Sequence, residues 1–276
     1  MTRYKSVVYD DSPDVLETGQ LELMPGLTAK EIIEAEWMAT LSKGVMIVTG
    51  EPRSGKDLFG NVFAWKMKRY FGKEILRDEA PRSHFGNYIP FNRGTVNEDL
   101  QEMAEVLADK NNNTNRTKMQ KMSMLADEWL EHTGNALLKN KVLYLTEFGG
   151  YMHNRSPMSP MNIFLGRILR RWGHLDLLVI GTTQLKHELD KYTCLPWVTH
   201  EVRCKWSFAI PNTGLYHIHR VRTVTSAGAI AVRRKMIRYV IDGGESREAL
   251  DGKRYFDLFN SKSAPMIKPS LTRKEA

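Results

Sequence analysis

The chain has 276 residues, 42% of them hydrophobic and 26% charged, the ordinary balance of a globular protein with a real core. The net charge of +8 favours an anionic partner, nucleic acid first, and the only two cysteines, Cys194 and Cys204, exclude a disulfide scaffold. No apolar run approaches a membrane span, and Met1-Thr2-Arg3-Tyr4-Lys5 lacks the apolar core of a secretory signal, so the expected location is cytoplasmic.

Residues 1–20 read as an extended lead-in broken at Ser12-Pro13-Asp14. Thr28-Ala29-Lys30-Glu31 is a capping box, with Ile32, Ile33, Ala35 and Met38 following at helical spacing. The four residues Val45, Met46, Ile47 and Val48 then form a strand that runs into Gly50-Glu51-Pro52-Arg53-Ser54-Gly55-Lys56, followed by a helix over 58–70 with Gly72 as its C-cap. Strand, G-x-x-x-x-G-K loop and helix start are the context of a phosphate-binding P-loop. The glycines let backbone N–H groups approach phosphate oxygens, and the helix dipole and Lys56 add positive charge. Asp57 stands where such a loop ordinarily has Ser or Thr.

Further on, a short strand over 74–76 leads into a loop over 77–94. A helix over 96–108, a polar loop over 110–116 and a helix over 119–138 follow. Val142-Leu143-Tyr144-Leu145 is a buried strand ending in Thr146-Glu147. A loop over 149–160, a helix over 162–172 and a strand over 177–184 complete an alternation that predicts a parallel sheet. Beyond residue 200 the pattern turns to strands over 202–210, 216–224, 230–241 and 254–259, and the tail 265–276 is polar.

Three strand ends carry the expected chemistry. The strand ending in Thr146-Glu147 has the form of the second nucleotide motif, in which an Asp holds Mg²⁺ and the next Glu activates water. Here the hydroxyl and the carboxylate have exchanged places, so Asp57 and Thr146 are the expected metal pair and Glu147 the general base. Gln184, closing Gly181-Thr182-Thr183-Gln184, is placed to sense a γ-phosphate or the attacking water. Arg167 and Arg171 lie four apart on one helical face, with Arg170 beside them; an arginine finger from this helix would act in a neighbouring subunit. His217 to Arg222 and Arg233 to Arg238 interleave basic and apolar residues, which alternation turns into a basic strand face. Cys194, His200, Cys204, His217 and His219 have the spacing of no compact zinc site.

The order of P-loop, Glu147 strand, Arg-bearing helix and Thr182-Thr183-Gln184 strand, with Leu189-Asp190 beyond, resembles the FtsK–HerA superfamily of DNA-pumping ATPases. It is most similar there to small viral packaging ATPases and zonular-occludens-toxin-like phage proteins. Tyr255-Phe256-Asp257-Leu258-Phe259 also resembles their closing segment. The resemblance implies an α/β P-loop NTPase of the additional-strand type, with a mainly parallel sheet flanked by helices and a β-rich C-terminal extension. It divides the chain into a lead-in (1–43), an ATPase core (44–200), the extension (201–264) and a tail (265–276). It further implies ATP and Mg²⁺ as cofactors and DNA translocation in a homo-oligomeric ring, in genome packaging with a capsid or portal partner. The location would then be the host cytoplasm or the virion. Lys56 would bind phosphates, Glu147 would activate water, Gln184 would sense the γ-phosphate and one of Arg167, Arg170 or Arg171 would act in trans. A nucleotide kinase and a non-hydrolysing P-loop scaffold are the competing expectations.

Overall fold

Val45, Met46, Ile47 and Val48 are all fully buried, although successive strand residues face opposite ways. Both faces of their sheet are therefore covered, as in a parallel sheet sandwiched by helices. The computed structural model describes residues 22–52, 54–77, 89–90, 118–155, 160–206, 213–221, 224–226, 229–231 and 235–242. The extended lead-in expected over 1–20, the helix over 96–108, the polar loop over 110–116, the strand over 254–259 and the tail lie outside them.

Helix α1 (Ala29–Ala39) begins with the expected capping box, Thr28 Oγ1 accepting from the Glu31 N–H while Glu31 accepts from the Thr28 N–H. Strand β1 (Gly44–Thr49) leads to α2 (Lys56–Phe71), which starts at the P-loop lysine itself and ends at Gly72 with φ 64. Then come β2 (Glu74–Arg77) and β3 (Ile89–Pro90), the latter inside the stretch expected as loop. The expected helix over 119–138 is α3, which runs through Lys118–Trp129, widens to a π-helical turn at Leu130–Gly134 and closes with Asn135–Leu138. At Gly134 a Cβ would sit 2.7 Å from Cε3 of the Trp129 ring, so only glycine lets that indole fold over the turn.

β4 (Lys141–Leu145) is followed by the short α4 (Phe148–Tyr151), α5 (Pro160–Arg170) and β5 (Leu178–Thr183). The last strands are β6 (His200–Trp206), β7 (Thr213–Arg220), β8 (Val224–Ser226), β9 (Ala229–Ala231) and β10 (Lys235–Asp242). The continuous strands expected over 216–224 and 230–241 are thus interrupted by a separate β8–β9 ladder.

The large sheet has the order β10-β7-β6-β1-β5-β4-β2-β3. From β6 to β3 every pairing is parallel, whereas β7 and β10 are antiparallel. β5 is inserted between β1 and β4. On one face, Phe59, Val62, Phe63 and Met67 of α2, with Ala35 and Met38 of α1, cover Met46, Val48, Tyr144 and Ile180. On the other, Trp129 and Leu130 of α3 and Phe164 and Ile168 of α5 cover Val45, Ile47, Leu143 and Val179. Each such side chain contributes about 1.5–3 kcal/mol on burial. The helices after β1 and after β4 thus pack on opposite faces, and the chain parts at the carboxyl edge of the sheet, where a ligand crevice forms.

Glu34 of α1 ties the layers together. It accepts from Lys66 Nζ at 2.6 Å, Tyr70 Oη at 2.7 Å and Tyr239 Oη at 3.1 Å, joining α1 to α2 and to β10.

Candidate functional site

The loop between β1 and α2 turns at Gly55, whose φ of 86 and ψ of 20 lie in the left-handed region open to glycine. Gly50 lies against β6: a Cβ there would be 3.1 Å from the Cys204 carbonyl oxygen and would collide with Ser54 Oγ. No side chain caps α2, so the N–H groups of its first turn face the loop with the positive end of a 16-residue helix behind them. Lys56 is buried, and its ammonium donates to the Gly50 and Glu51 carbonyl oxygens, both at 2.8 Å. Among the described residues, the Ser54 hydroxyl is buried without a hydrogen-bond partner. Glu51 and Pro52 are exposed, and Arg53 lies outside the described residues. Uncapped amides, an orphan hydroxyl and a held cation around one turn fit a phosphate chain.

Tyr216 of β7 donates its hydroxyl to the Gly55 carbonyl at 3.1 Å, with its ring 4.9 Å from that of Phe59. That contact was not legible from the motif.

Asp57 points across the sheet from the first turn of α2. Its Oδ1 accepts from Thr182 Oγ1 at 3.3 Å and from Tyr144 Oη at 3.4 Å. Asn61 caps the Asp57 carbonyl at 2.6 Å and accepts from the buried Arg77 guanidinium at 2.5 Å, which also lies 4.9 Å over the Tyr144 ring. Thr146 stands one residue beyond the Leu145–Gly181 pair, level with Thr182. It continues the Val142–Tyr144 alternation toward α2. The expected pair Asp57 and Thr146 therefore shares one face of one edge, where the Thr182 and Tyr144 hydroxyls bond to Asp57. A carboxylate among hydroxyls is a hard-oxygen donor set, the kind that Mg²⁺ takes beside phosphate and water.

Glu147 follows at φ 49, ψ 44, exposed, with its carbonyl accepting from the Gly150 N–H at 2.7 Å. Gln184 is exposed at the end of β5, beside Thr183, which pairs in register with Thr49. Gly50 and Gln184 thus leave adjacent strands at one level, and Glu147 leaves the third one residue earlier, level with Thr183.

The three arginines do not join this edge. Arg167 and Arg171 pair with Asp127 of α3 at 3.3 and 3.4 Å, and Arg170 lies 5.3 Å over the Trp197 ring. After α5 the chain passes the starts of β4 and β1, with the Asn140 N–H on the Leu175 carbonyl and the Gly44 N–H on the Leu177 carbonyl. Arg170 and Arg171 accordingly lie at the amino edge, about 20 Å of strand from their own P-loop.

Sequence reasoning also passed over Lys186 and Arg203, which share the carboxylate of Glu201 at 2.7 and 3.0 Å. The alternation Glu201, Arg203, Lys205 against Val202 and Cys204 carried that signal. Leu189-Asp190, in contrast, has a plain local role. Asp190 is buried and accepts from Tyr192 N, Thr193 N and Thr193 Oγ1, an Asx turn that sets Thr193 against Gly166 of α5.

The P-loop after β1, the inserted β5 and the acidic end of β4 define an α/β P-loop NTPase fold of the additional-strand type. No protein-family model and no curated protein matches the sequence. Among solved structures, the chain is similar to the N-terminal domain of zonular occludens toxin from Neisseria meningitidis. Identity is 14%, coverage 79% of this chain and 99% of that one, and TM-score 0.43. It is also similar to the genome packaging NTPase B204 of Sulfolobus turreted icosahedral virus 2 in complex with AMP. The corresponding values are 12%, 71% and 96%, and 0.41. A KaiC-like protein from Pyrococcus horikoshii gives 14%, 73% and 86%, and 0.37. Strand order and loop geometry, rather than these likenesses, define the class.

Proposed function

We propose that this chain is an ATP-hydrolysing motor that moves double-stranded DNA, with genome packaging as its setting. The observation that carries the hydrolytic half is the uncapped start of α2, with the buried Lys56 ammonium and the Ser54 hydroxyl, at the sheet edge where β4 and β5 end in Glu147 and Gln184. Lys56, Ser54 and the loop amides hold the phosphates. Asp57 and Thr146, with Thr182 beside them, would hold Mg²⁺, which would neutralise charge developing on the phosphates. Glu147 takes a proton from water, and Gln184 orients that water or the γ-phosphate.

The DNA half is supported by the net charge and by the sheet face that bears Lys205 of β6 and His217 of β7. Backbone contacts of this kind carry little sequence preference and weaken steeply with salt. Any action of Arg167, Arg170 or Arg171 on a γ-phosphate requires a neighbouring subunit, hence a ring.

Steady-state ATP hydrolysis with and without duplex DNA, at low and high salt, tests this reading beside Lys56→Ala and Glu147→Gln. The expected result is DNA-stimulated turnover, suppressed by salt and lost in both variants, with Glu147→Gln still binding nucleotide. Turnover indistinguishable from the variants under every condition would overturn the motor and favour a kinase or a scaffold.

A further inference from the structure

Lys56 is the P-loop's own cation, and its ammonium is already shared between two carbonyl oxygens. Of the three arginines of the α5 region, Arg170 and Arg171 lie at the amino edge and Arg167 is paired with Asp127. A terminal phosphate with nearly two negative charges needs further positive charge at the carboxyl edge, and two side chains are stationed there. Arg203 lies in register with Thr49, the last residue before the loop, on the strand flanking β1. Lys186 lies two residues past Gln184, in the turn leaving β5.

Both are fixed by one carboxylate. Glu201 is almost fully buried, with its side chain 8% exposed; it accepts from Lys186 Nζ at 2.7 Å and from Arg203 Nε at 3.0 Å. Burial alone would raise its carboxyl, but the two cations outweigh that and hold it below the usual carboxylate range. The side chains of Lys186 and Arg203 remain 40% and 48% exposed. One negative charge shared by two positive ones leaves a net positive group at the rim. Arg203 meets Glu201 through Nε, which leaves its terminal nitrogens for a second acceptor, and an ammonium has donors beyond the one it gives Glu201. Glu201 therefore acts as a positioning residue, holding two long side chains beside the strand that ends at the phosphate loop.

We infer that Lys186 and Arg203, held by Glu201, form the group that distinguishes a nucleoside triphosphate from a diphosphate by binding the terminal phosphate. This rests on the reading of the loop as a nucleotide site, and it assigns the discrimination to a chain's own residues. The cluster relieves the P-loop lysine of neutralising the γ-phosphate alone.

The test is a set of dissociation constants for fluorescent ATP and ADP analogues with Mg²⁺. The proteins compared are the parent chain, Arg203→Gln, Arg203→Lys, Lys186→Gln and Lys56→Ala, with circular dichroism as the check on folding. Arg203→Gln and Lys186→Gln are each expected to weaken the triphosphate about tenfold and the diphosphate less than about twofold. Arg203→Lys should recover part of the loss, and Lys56→Ala should weaken both nucleotides. If Lys56→Ala loses both while the Arg203 and Lys186 variants discriminate as well as the parent, this assignment falls and the nucleotide site stands. If the parent binds neither nucleotide, site and assignment fall together.

Discussion

Gly55 bears the sharpest conformational demand in the loop. At φ 86 its peptide both turns the chain into α2 and offers its carbonyl to Tyr216. An alanine there carries about 1–2 kcal/mol of left-handed strain, so Gly55→Ala should lower the urea midpoint and weaken nucleotide binding together. The glycines and Lys56 were legible because the motif spacing encodes backbone geometry over a few residues. The partners of Asp57 were not, since Tyr144 and Thr182 lie 87 and 125 positions away in sequence. The arginines illustrate a different gap. Helical spacing shows that Arg167 and Arg171 share a face, which they do in meeting Asp127, but it does not say which edge of the sheet that face adjoins.

At the scale of the element, α2 sets propensity against packing. Gly60 lies inside this helix, where alanine is favoured by about 1 kcal/mol, yet a Cβ there would stand 2.7 Å from the Tyr144 ring. Overpacking of that kind costs about 1–3 kcal/mol, so Gly60→Ala should destabilise the protein in urea unfolding rather than stabilise it. β6 makes a second prediction. His200 is buried beside Thr199, whose hydroxyl accepts from the Val45 N–H and so couples β6 to β1. Burial first, then Arg220, lowers its pKa from 6.5 to about 3. Between those values the unfolded chain binds the proton and the folded one does not, so this contribution is complete above pH 6.5 and is lost on acidification toward 3. Thermal melts from pH 7 to 4 should fall less steeply for His200→Gln. The caps at Thr28 and Gly72 were readable from single residues; the π-helical turn of α3 was not, because it depends on how Trp129 packs over Gly134.

At the scale of the molecule, alternation of strands and helices foretold a parallel sheet but not that β6, β7 and β10 prolong it. Periodicity specifies which face of a strand is buried and leaves its neighbours open. The prolongation puts the face bearing Lys205 and His217 beside the phosphate edge. If DNA tracks along that face, Lys205→Glu should reduce DNA stimulation of hydrolysis while leaving basal turnover near the parent value, measured at low salt where phosphate contacts are strongest. Equal stimulation in parent and variant would move the DNA contact elsewhere.

The Tyr216–Gly55 hydrogen bond bears on how this protein should be trimmed. A fragment ended after β6 would retain every residue of the phosphate loop, yet it would lose the hydroxyl that steadies the Gly55 peptide and the ring that packs on Phe59. Such a minimal fragment would bind nucleotide weakly for want of a brace, and its failure would say nothing about the chemistry of the loop.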